Sequence, residues 1–534
     1  MTAEESQKPV ADLSHDRSWA QTLVAAHRGT VVRASLRGAW LLFVVWAAWN
    51  SMDYVSGDPP EGDSGLFSSG GMHLLRGKAL YRDVWDHKPP VVFLLNAFAL
   101  GVGDGTIQSV RVLERVFFVC GSLTIFWIFL RCFGRFWLSV VGACLFSFHL
   151  SHERIFQGGN LTEEYAAVFV CVAIAFTLSA RRSASRAGLC LSFLSGLFFS
   201  LAAFTKEPFL LCSVPWFCYL VLDAKGGKRR CLLRGGWFLL GSVTPAAGFV
   251  AWFAIQGCFR DWLDVLSYDL VYAANNRQNV PLAVDLVRNL GETGLRLFGQ
   301  MLVASVAFAL GFVAALDPAF RNETKWLPVV AVGAFAMDFL GTSLSNTRFD
   351  HYYMQMVPSF LLLAGCGAAY ALRRLQKTGR VAGICSALAL LALLAWDAPA
   401  LLHYAQRLAM PARRPAQDPI AVYLRAHAGP GDTLWGAGGP EFPRLYLETG
   451  LLSPVKYFCS APHHFMDTGA STAEEKLSQL AADLEKTPPA YVVMNRVLSD
   501  RIERWVLANY TRVRLPDASA DLFVLKQKVE GTGK

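Results

Sequence analysis

Residues 62–90 read GDSGLFSSGGMHLLRGKALYRDVWDHKPP. This polar, acid-bearing segment separates two apolar runs that would each lie in a bilayer. Asp63 follows the first run, and Lys88 comes just before the second. Ionisable groups at a membrane boundary usually serve a function, because they are costly to keep there. The pair therefore indicates a carboxylate base and a cation that act on one polar, anionic substrate held in the membrane.

The composition excludes a water-soluble protein of this size. Hydrophobic residues make up 53% of the 534 residues, and charged residues only 17%. Repeated apolar runs of about 17–25 residues predict a polytopic α-helical membrane protein, since a β-barrel would show short alternating segments. The formal net charge is +9. The basic residues lie in short clusters between apolar runs, which is a topology signal rather than a nucleic-acid footprint.

About eleven apolar runs are predicted to span the membrane. They lie near 38–55, 108–130, 136–152, 164–180, 187–204, 207–222, 232–255, 298–316, 326–344, 352–372 and 380–397. A further run, 89–103, would reach only about 22 Å, less than the roughly 30 Å hydrocarbon core. If it does not cross and the N-terminus is cytoplasmic, nearly every basic cluster falls on the cytoplasmic face. We therefore expect a re-entrant or interfacial segment there.

The same orientation gathers four polar segments on the outer face. They are 56–88, 153–164, 205–208 and 346–353. Residues 256–297, also on that face, are apolar but amphipathic. They form either interfacial helices or a loop packed on the spans, and the sequence favours neither.

The composition changes after Pro415. Helix-like stretches at 418–428 and 472–486 alternate with strand-like runs at 432–438, 490–495 and 520–527. The sequence thus predicts three parts: a cytoplasmic arm (1–37), an all-α membrane domain (38–415) and a small extracytoplasmic α/β domain (416–534).

Two residues of the 62–90 segment are the main candidates for chemistry. Asp63 could accept a proton from an acceptor hydroxyl, or it could simply cap a helix. Lys88 could bind a phosphate as a point charge, or it could snorkel at a helix end. Asp86 and His87 beside it are weak candidates for a divalent metal ion, and no other cofactor is indicated.

Further charged residues are expected on the same face. Glu163 and Glu164 follow Thr162, so they either favour a helix N-terminus or supply a second carboxylate opposite Asp63. The expected cations around a lipid-linked phosphate are Lys206, Arg348 and Arg111, with His351 nearby.

Several motifs resemble one known family. They are LLRGKALYRDVWDHKPP (74–90), NLTEEY (160–165), RFDHYYMQMVPSFLLLAG (348–365) and the IAVYLRAH, GDTLWGAGG and PRLYLETG stretches between 420 and 450. The chain resembles the GT-C superfamily of glycosyltransferases that use lipid-phosphate sugars. It is most similar to the branch of protein O-mannosyltransferase-like enzymes, lipid A aminoarabinose transferases and rhizobial lipopolysaccharide core transferases.

That resemblance implies inverting transfer from a polyprenyl-phosphate sugar to an envelope glycan, lipid or protein, on the periplasmic or extracellular side of a bacterial cytoplasmic membrane. It implies Asp63 as the base, Lys88 at the donor phosphate, Glu163 as a second acid, and Arg348 and His351 near the sugar or phosphate. Family members often carry an acidic pair where this chain has Asp63-Ser64, which argues against a metal held there. The alternative is a transporter of lipid-linked sugar. It is disfavoured because no repeat is visible and the polar groups gather at one face.

Overall fold

The computed structural model describes most of the chain, in segments separated by short gaps. The described residues are 34–52, 62–183, 185–222, 227–275, 280–344, 349–377, 379–410, 418–437, 442–458, 470–495, 499–516, 518 and 520–531. Most of the predicted N-terminal arm and Arg348 therefore lie outside the described residues.

The described residues before 411 are almost entirely helical. The helices are α1 (34–50), α2 (Gly62–Leu75), α3 (Pro90–Val102), α4 (Ile107–Phe133), α5 (Phe136–Leu150), α6 (Glu153–Phe156), α7 (Thr162–Arg182), α8 (Ala187–Ala203), α9 (Ser213–Val221), α10 (Gly227–Ile255), α11 (Phe259–Asn275), α12 (Leu282–Arg296), α13 (Leu302–Leu316), α14 (Pro318–Glu323), α15 (Leu327–Ser343), α16 (Val357–Leu375) and α17 (Arg380–Ala409). Short 3₁₀ turns lie at Glu207–Leu210, Phe298–Gln300 and Asp350–Met356.

In the described part of the chain, five helical segments are long and apolar enough to cross a membrane by length and composition. They are Ile107–Phe133, Thr162–Arg182, Gly227–Ile255, Asp350–Leu375 and Gly383–Ala409. Shorter apolar helices lie among them, such as α5, α8, α13 and α15. The predicted class, a polytopic α-helical membrane protein, is confirmed.

The 89–103 run forms the short helix α3, which packs on α2. Its 13 residues rise about 20 Å, too little to cross a hydrocarbon core unaided. Two glycines of α2 permit the close contact. A Cβ on Gly71 would lie 2.7 Å from the Ala97 nitrogen, and one on Gly70 would lie 2.6 Å from the Phe93 ring. The Gly-Gly pair thus seats the helix that carries Asp63 against the helix that follows Lys88.

The described part of residues 256–297 consists mainly of two helices, α11 and α12, rather than a loop, and their interfacial position stays a prediction. One face of α11 buries Trp262, Val265 and Tyr268 in a core shared with the C-terminal part. Another face exposes Leu263 and Leu266. An exposed apolar face on an amphipathic helix is what an interfacial helix presents to the bilayer boundary.

The C-terminal part is a small α/β unit. Its strands are β1 (Leu434–Ala437), β2 (Tyr491–Met494), β3 (Tyr510–Val513) and β4 (Asp521–Leu525). Its helices are α18 (Pro419–His427), α19 (Pro443–Thr449), α20 (Ala470–Lys486), α21 (Asp500–Asn509) and α22 (Lys526–Gly531). The sheet order is β1-β2-β4-β3; β1 and β2 are parallel, and the other two pairs are antiparallel.

Three of the four strands match predicted strand-like runs, but β3 was not predicted. It is an edge strand, and its Thr511 and Arg512 are both exposed. The alternation of buried and exposed residues that marks a half-buried strand is therefore missing from its sequence.

The helix that carries Asp63 is anchored to the C-terminal unit through His73. The His73 Nδ1 atom lies 2.8 Å from the Ser69 carbonyl oxygen, and Nε2 accepts the Ser453 N–H at 3.0 Å. Burial lowers the pKa of His73 to about 4, so the ring is neutral near pH 7 and can accept at Nε2. The segment after α2 makes a second link to the C-terminal unit, because the Trp85 N–H donates a 3.0 Å hydrogen bond to the Lys456 carbonyl.

Candidate active site

Glu163 lies at the centre of a buried polar cluster where α7 begins. Its Oε1 atom is 3.2 Å from Lys206 Nζ and 4.0 Å from His351 Nε2. Its Oε2 atom accepts a 2.8 Å hydrogen bond from the Thr162 hydroxyl. Only 1% of Glu163 is exposed, so the carboxylate depends on these partners rather than on water. Thr162 does not cap the helix; Leu161 occupies the cap position without a side-chain hydrogen bond.

Lys206 reaches this cluster from the turn between α8 and the Glu207–Leu210 3₁₀ turn. Its ammonium also lies 4.4 Å from the centre of the Tyr352 ring. Burial alone would lower the pKa of Lys206, but Glu163, with Tyr352 and Glu207, raises it above the ordinary value. Lys206 is therefore a permanent cation whose charge Glu163 largely neutralises.

His351 is held by a strained loop. Its Nδ1 lies 2.6 Å from Gln157 Oε1. Gln157 begins a run of four consecutive residues with positive φ: 43° at Gln157, 91° and 77° at the two glycines, and 55° at Asn160. Left-handed backbone at a non-glycine residue is unfavourable and persists only where the surroundings enforce it, often at functional sites.

Lys88 is positioned by its own backbone. Its N–H donates to Asp86 Oδ1 at 2.7 Å, and its carbonyl accepts the Tyr81 hydroxyl at 2.9 Å. The Val91 N–H donates to the Phe204 carbonyl at 3.2 Å, which ties this segment to the turn that carries Lys206.

Lys88 is 8% exposed, yet no described carboxylate lies within ion-pair distance of its ammonium. Burial and Lys206 lower its pKa, but Tyr352, Asp63 and Glu163 outweigh them and raise it. Lys88 is thus a buried, protonated cation close to the Glu163 cluster without belonging to an ion pair there.

Asp63 lies in the first described turn of α2 and is partly exposed. Its carboxylate accepts no hydrogen bond from a described residue, so the structure offers no helix-capping contact for it. It lies close enough to raise the pKa values of both Lys88 and Asp86. The backbone beside it is held by Asn160, whose amide donates to the Ser64 carbonyl at 3.1 Å.

The structure therefore gathers Asp63, Lys88, Glu163, Lys206 and His351, although the sequence spreads them over nearly three hundred positions. Among the described residues, Asp63 and Lys88 have no ion-pair partner, whereas Glu163 and Lys206 neutralise each other beside them. Such a site can bind an anion at the cation and accept a proton at the carboxylate.

Comparison with solved structures identifies the fold. ArnT from Cupriavidus metallidurans matches at a TM-score of 0.58, over 93% of this chain and 98% of that chain. One of its structures is bound to undecaprenyl phosphate (15% identity) and the other is in the apo state (14% identity). The chain has an ArnT-like fold. The fold that the sequence predicted is thus confirmed.

A weaker match is the archaeal oligosaccharyltransferase AglB from Archaeoglobus fulgidus, solved with an inhibitory peptide and a dolichol-phosphate. Its TM-score is 0.47 at 12% identity, over 87% of this chain and 70% of that chain. No protein-family model and no curated protein matches the sequence.

Within this ArnT-like fold, Arg111 already has a buried partner. Its Nη1 donates to both oxygens of Glu114, at 3.1 and 3.0 Å, and the two side chains are 1% and 0% exposed. Glu114 also accepts a hydrogen bond from the Asn160 N–H, which fixes the end of the strained 157–160 loop. Glu164 is buried beside Glu114. Arg111 supports the loop through Glu114, and its expected role at the donor stays a prediction.

Sequence reasoning missed Glu114 and Asn160. A signal for Glu114 was present, since Arg111 and Glu114 are three residues apart in an otherwise apolar helix. Asn160 entered the sequence analysis only as the first residue of the NLTEEY motif. Its side chain instead exchanges hydrogen bonds with Asn96 at 3.0 and 2.9 Å and accepts the Tyr165 hydroxyl at 2.9 Å.

Asp86 and His87 do not assemble a metal site among the described residues. His87 Nδ1 lies 3.9 Å from Asp86 Oδ1, and no described group of three or more His, Cys, Asp or Glu side chains could hold an ion. Burial is the main cause that raises the pKa of Asp86 to about 7. Asp86 instead orients Lys88 through the backbone hydrogen bond.

A cavity of about 310 Å³ adjoins the Lys88 segment. Its wall is mostly apolar and includes Tyr81, Pro89, Phe204 and Trp262, with Glu207 and Asp269 as acidic groups. A largely apolar cavity with a few polar groups is the usual form of a small-molecule site.

Proposed function

We propose that this protein is an integral-membrane glycosyltransferase that moves a sugar from a polyprenyl-phosphate donor to a cell-envelope acceptor. The observation that carries the proposal is the buried Lys88 ammonium, which has no described carboxylate partner and lies near the Asp63 carboxylate. The ArnT-like fold supports it, since an ArnT structure is bound to undecaprenyl phosphate. The catalytic part is residues 38–415, and residues 416–534 form an outer domain that anchors α2.

In this proposal Lys88 binds the donor phosphate. The phosphate gains negative charge as the bond from the anomeric carbon to the phosphate oxygen breaks, because the bonding electron pair leaves with the polyprenyl phosphate. A cation held in a low-dielectric site stabilises that charge without needing to reorganise. Lys206 contributes less, because Glu163 already neutralises it.

Asp63 is the proposed general base. The acceptor hydroxyl oxygen forms a bond to the anomeric carbon while its proton moves to the Asp63 carboxylate. Direct attack of the acceptor oxygen is a single displacement, so transfer inverts the anomeric carbon, by analogy with inverting glycosidases. His351 and the Gln157–Asn160 loop shape the wall of the sugar site through their 2.6 Å contact. Arg348 lies outside the described residues, and its role near the sugar or phosphate stays a prediction.

The proposed site faces the periplasmic or extracellular side of a bacterial cytoplasmic membrane. Glu163 lies at one end of α7, and the basic pair Arg181 and Arg182 lies at the other. Basic residues favour the cytoplasmic side, which puts Glu163 and Asp63 on the outer face. A cysteine at exposed Arg82 should then react with a membrane-impermeant reagent added outside intact cells.

The decisive experiment uses purified protein in liposomes with a labelled polyprenyl-phosphate sugar and envelope extract as acceptor. Asp63→Asn should abolish transfer while donor binding is retained. The matched control is Asp83→Asn in the same segment, whose carboxylate pairs with Arg82 at 2.9 Å; it should retain transfer. Near-normal transfer by Asp63→Asn would contradict its role as base. Translocation of donor without a glycosylated product would favour a transporter instead.

The acceptor and the sugar are best identified in cells. Mass spectrometry of envelope glycans, lipids and glycoproteins from cells with and without the gene should reveal one missing sugar. The same comparison with Asp63→Asn would tie the missing sugar to catalysis rather than to the presence of the protein.

A further inference from the structure

A second cavity, of about 970 Å³, lies far from the proposed active site. Six basic residues contribute to its wall: Arg131, Arg181, Arg182, Arg230, Arg234 and Lys325. They come from the ends of α4 and α7, from α10 and from the segment between α14 and α15. A cavity of this size could hold the polar part of a lipid or a soluble anion.

Helix α7 relates the position of this second cavity to that of the proposed active site. Glu163 is in the first turn of α7, and Arg181 is in the last turn. Eighteen residues at 1.5 Å each separate the two by about 27 Å, close to the thickness of a hydrocarbon core. The cavity therefore opens at the opposite membrane boundary.

Three cations of this cavity donate hydrogen bonds to backbone oxygens. Arg182 donates to the Arg131 carbonyl at 2.9 Å, and Arg181 donates to the Tyr219 carbonyl at 2.9 Å. Arg234, only 2% exposed, donates to the Ser183 carbonyl at 2.9 Å. These contacts fix the Arg181 and Arg182 guanidinium groups without using a described carboxylate.

Glu323, the acidic residue of the described cavity wall, already has an ion-pair partner. Glu323 pairs with Arg373, which does not line the cavity. No described carboxylate lies within ion-pair distance of Arg131, Arg181 or Arg182. Several like charges around one concave surface create a strong positive potential that attracts an anion.

The apolar part of the wall favours a lipid. Leu178, Leu222 and Trp326 line the same cavity, and Leu222 and Trp326 are 74% and 47% exposed. Tryptophan is enriched at membrane boundaries, where a headgroup meets acyl chains. Basic pockets between helices on the cytoplasmic side are suited to anionic headgroups.

We propose that this basic cavity binds a phosphate-bearing anion at the face opposite to the active site. The ligand is either the headgroup of an anionic membrane lipid or a free phosphate compound. The site is independent of sugar transfer, and its test does not require the protein to be active.

The test compares two double variants with equal loss of charge. Arg182→Gln/Arg230→Gln removes two cations of the cavity wall. Arg186→Gln/Arg229→Gln removes two exposed cations of the same segments that do not line it. Native mass spectrometry and fluorescence titration would measure binding of phosphatidylglycerol, cardiolipin, phosphatidylcholine and inorganic pyrophosphate to each protein.

The wild type and the Arg186/Arg229 variant should bind an anionic lipid alike, and the cavity variant about 30-fold more weakly. Pyrophosphate binding with the same dependence on the cavity arginines would identify a free phosphate compound as the ligand. The proposal would be overturned if both double variants bound the anionic lipids equally weakly, if phosphatidylcholine bound as tightly as the anionic lipids, or if no anion bound. Unchanged thermal unfolding would show that the cavity variant is folded.

Discussion

The Lys206 ammonium lies 3.2 Å from the Glu163 carboxylate, so one of the two buried lysines at the site is neutralised within the protein. Lys88, the other, has no such partner among the described residues. This division explains how the site can hold two cations close together and still offer one to a ligand. Like charges in a low-dielectric site would otherwise repel each other strongly.

Replacing Lys88 should weaken donor binding selectively. Lys88→Met removes a hydrogen bond to a charged phosphate, worth about 1.5–3 kcal/mol, so Kd should rise about 10- to 100-fold. Lys78→Met is the control, since Lys78 belongs to the same segment and is only partly buried. Titration with a labelled polyprenyl-phosphate sugar would measure both. Equal effects at the two positions would contradict a specific role for Lys88.

Replacing Glu163 should destabilise the protein. Glu163→Gln leaves Lys206 as a buried charge without its carboxylate, which typically costs about 3–5 kcal/mol. Glu292→Gln, which breaks a more exposed pair with Arg296 at 3.2 Å, should cost less than about 1 kcal/mol. Thermal unfolding in detergent would measure both. The double variant Glu163→Gln/Lys206→Met should recover most of the loss, and a failure to recover would show that the pair is not the cause.

Alanine substitutions at two neighbouring glycines should distinguish the energetic cost of backbone strain from the cost of a steric clash. Gly158 and Gly159 both have positive φ, but a Cβ on Gly159 would lie 2.5 Å from Glu114 Oε1, whereas one on Gly158 would meet nothing within 4 Å. Gly158→Ala should therefore cost only the left-handed backbone strain, about 1–2 kcal/mol. Gly159→Ala should cost more and should also lower transfer, because it displaces the loop that holds His351. Unfolding and transfer assays on both would test this, and equal losses would argue against the Glu114 contact.

Asp86 should make donor binding depend on pH. Its pKa is raised to about 7, chiefly by burial, so it is neutral below that pH and anionic above it. An anion beside Lys88 should weaken binding of a phosphodiester donor severalfold between pH 6 and pH 8. Asp86→Asn keeps an acceptor for the Lys88 N–H and should flatten the profile.

The raised pKa of Asp86 also predicts the direction in which the stability of the protein changes with pH. The folded-state pKa of Asp86 lies above its unfolded value, so its contribution is fully present below about pH 4 and is lost as pH rises through 7. Relative to Asp86→Asn, the wild type should therefore unfold at progressively lower temperature as the pH rises from 4 to 8. A constant difference would contradict the raised pKa.

The membrane helices and three of the four strands could be predicted because their signals are local. A span requires about twenty apolar residues in a row, and a buried strand is a short apolar run between turns. The same reasoning missed β3, where exposed edge residues hide the pattern, and it missed Glu114, the buried partner of Arg111. The nature of residues 256–297 was also undecided, because an amphipathic pattern does not reveal which face meets a neighbour.

The amino-acid sequence by itself determined the class of protein, the approximate spans and the ionisable residues available at the outer boundary, since hydropathy and residue type act over one or two helical turns. Only the tertiary structure decided which of these residues meet. The pairing of Glu163 with Lys206 depends on how α7 and α8 pack, and the position of Asp63 depends on the contact of Gly71 with α3. Such contacts join residues far apart in the chain, and their energies depend on the burial that the whole fold creates.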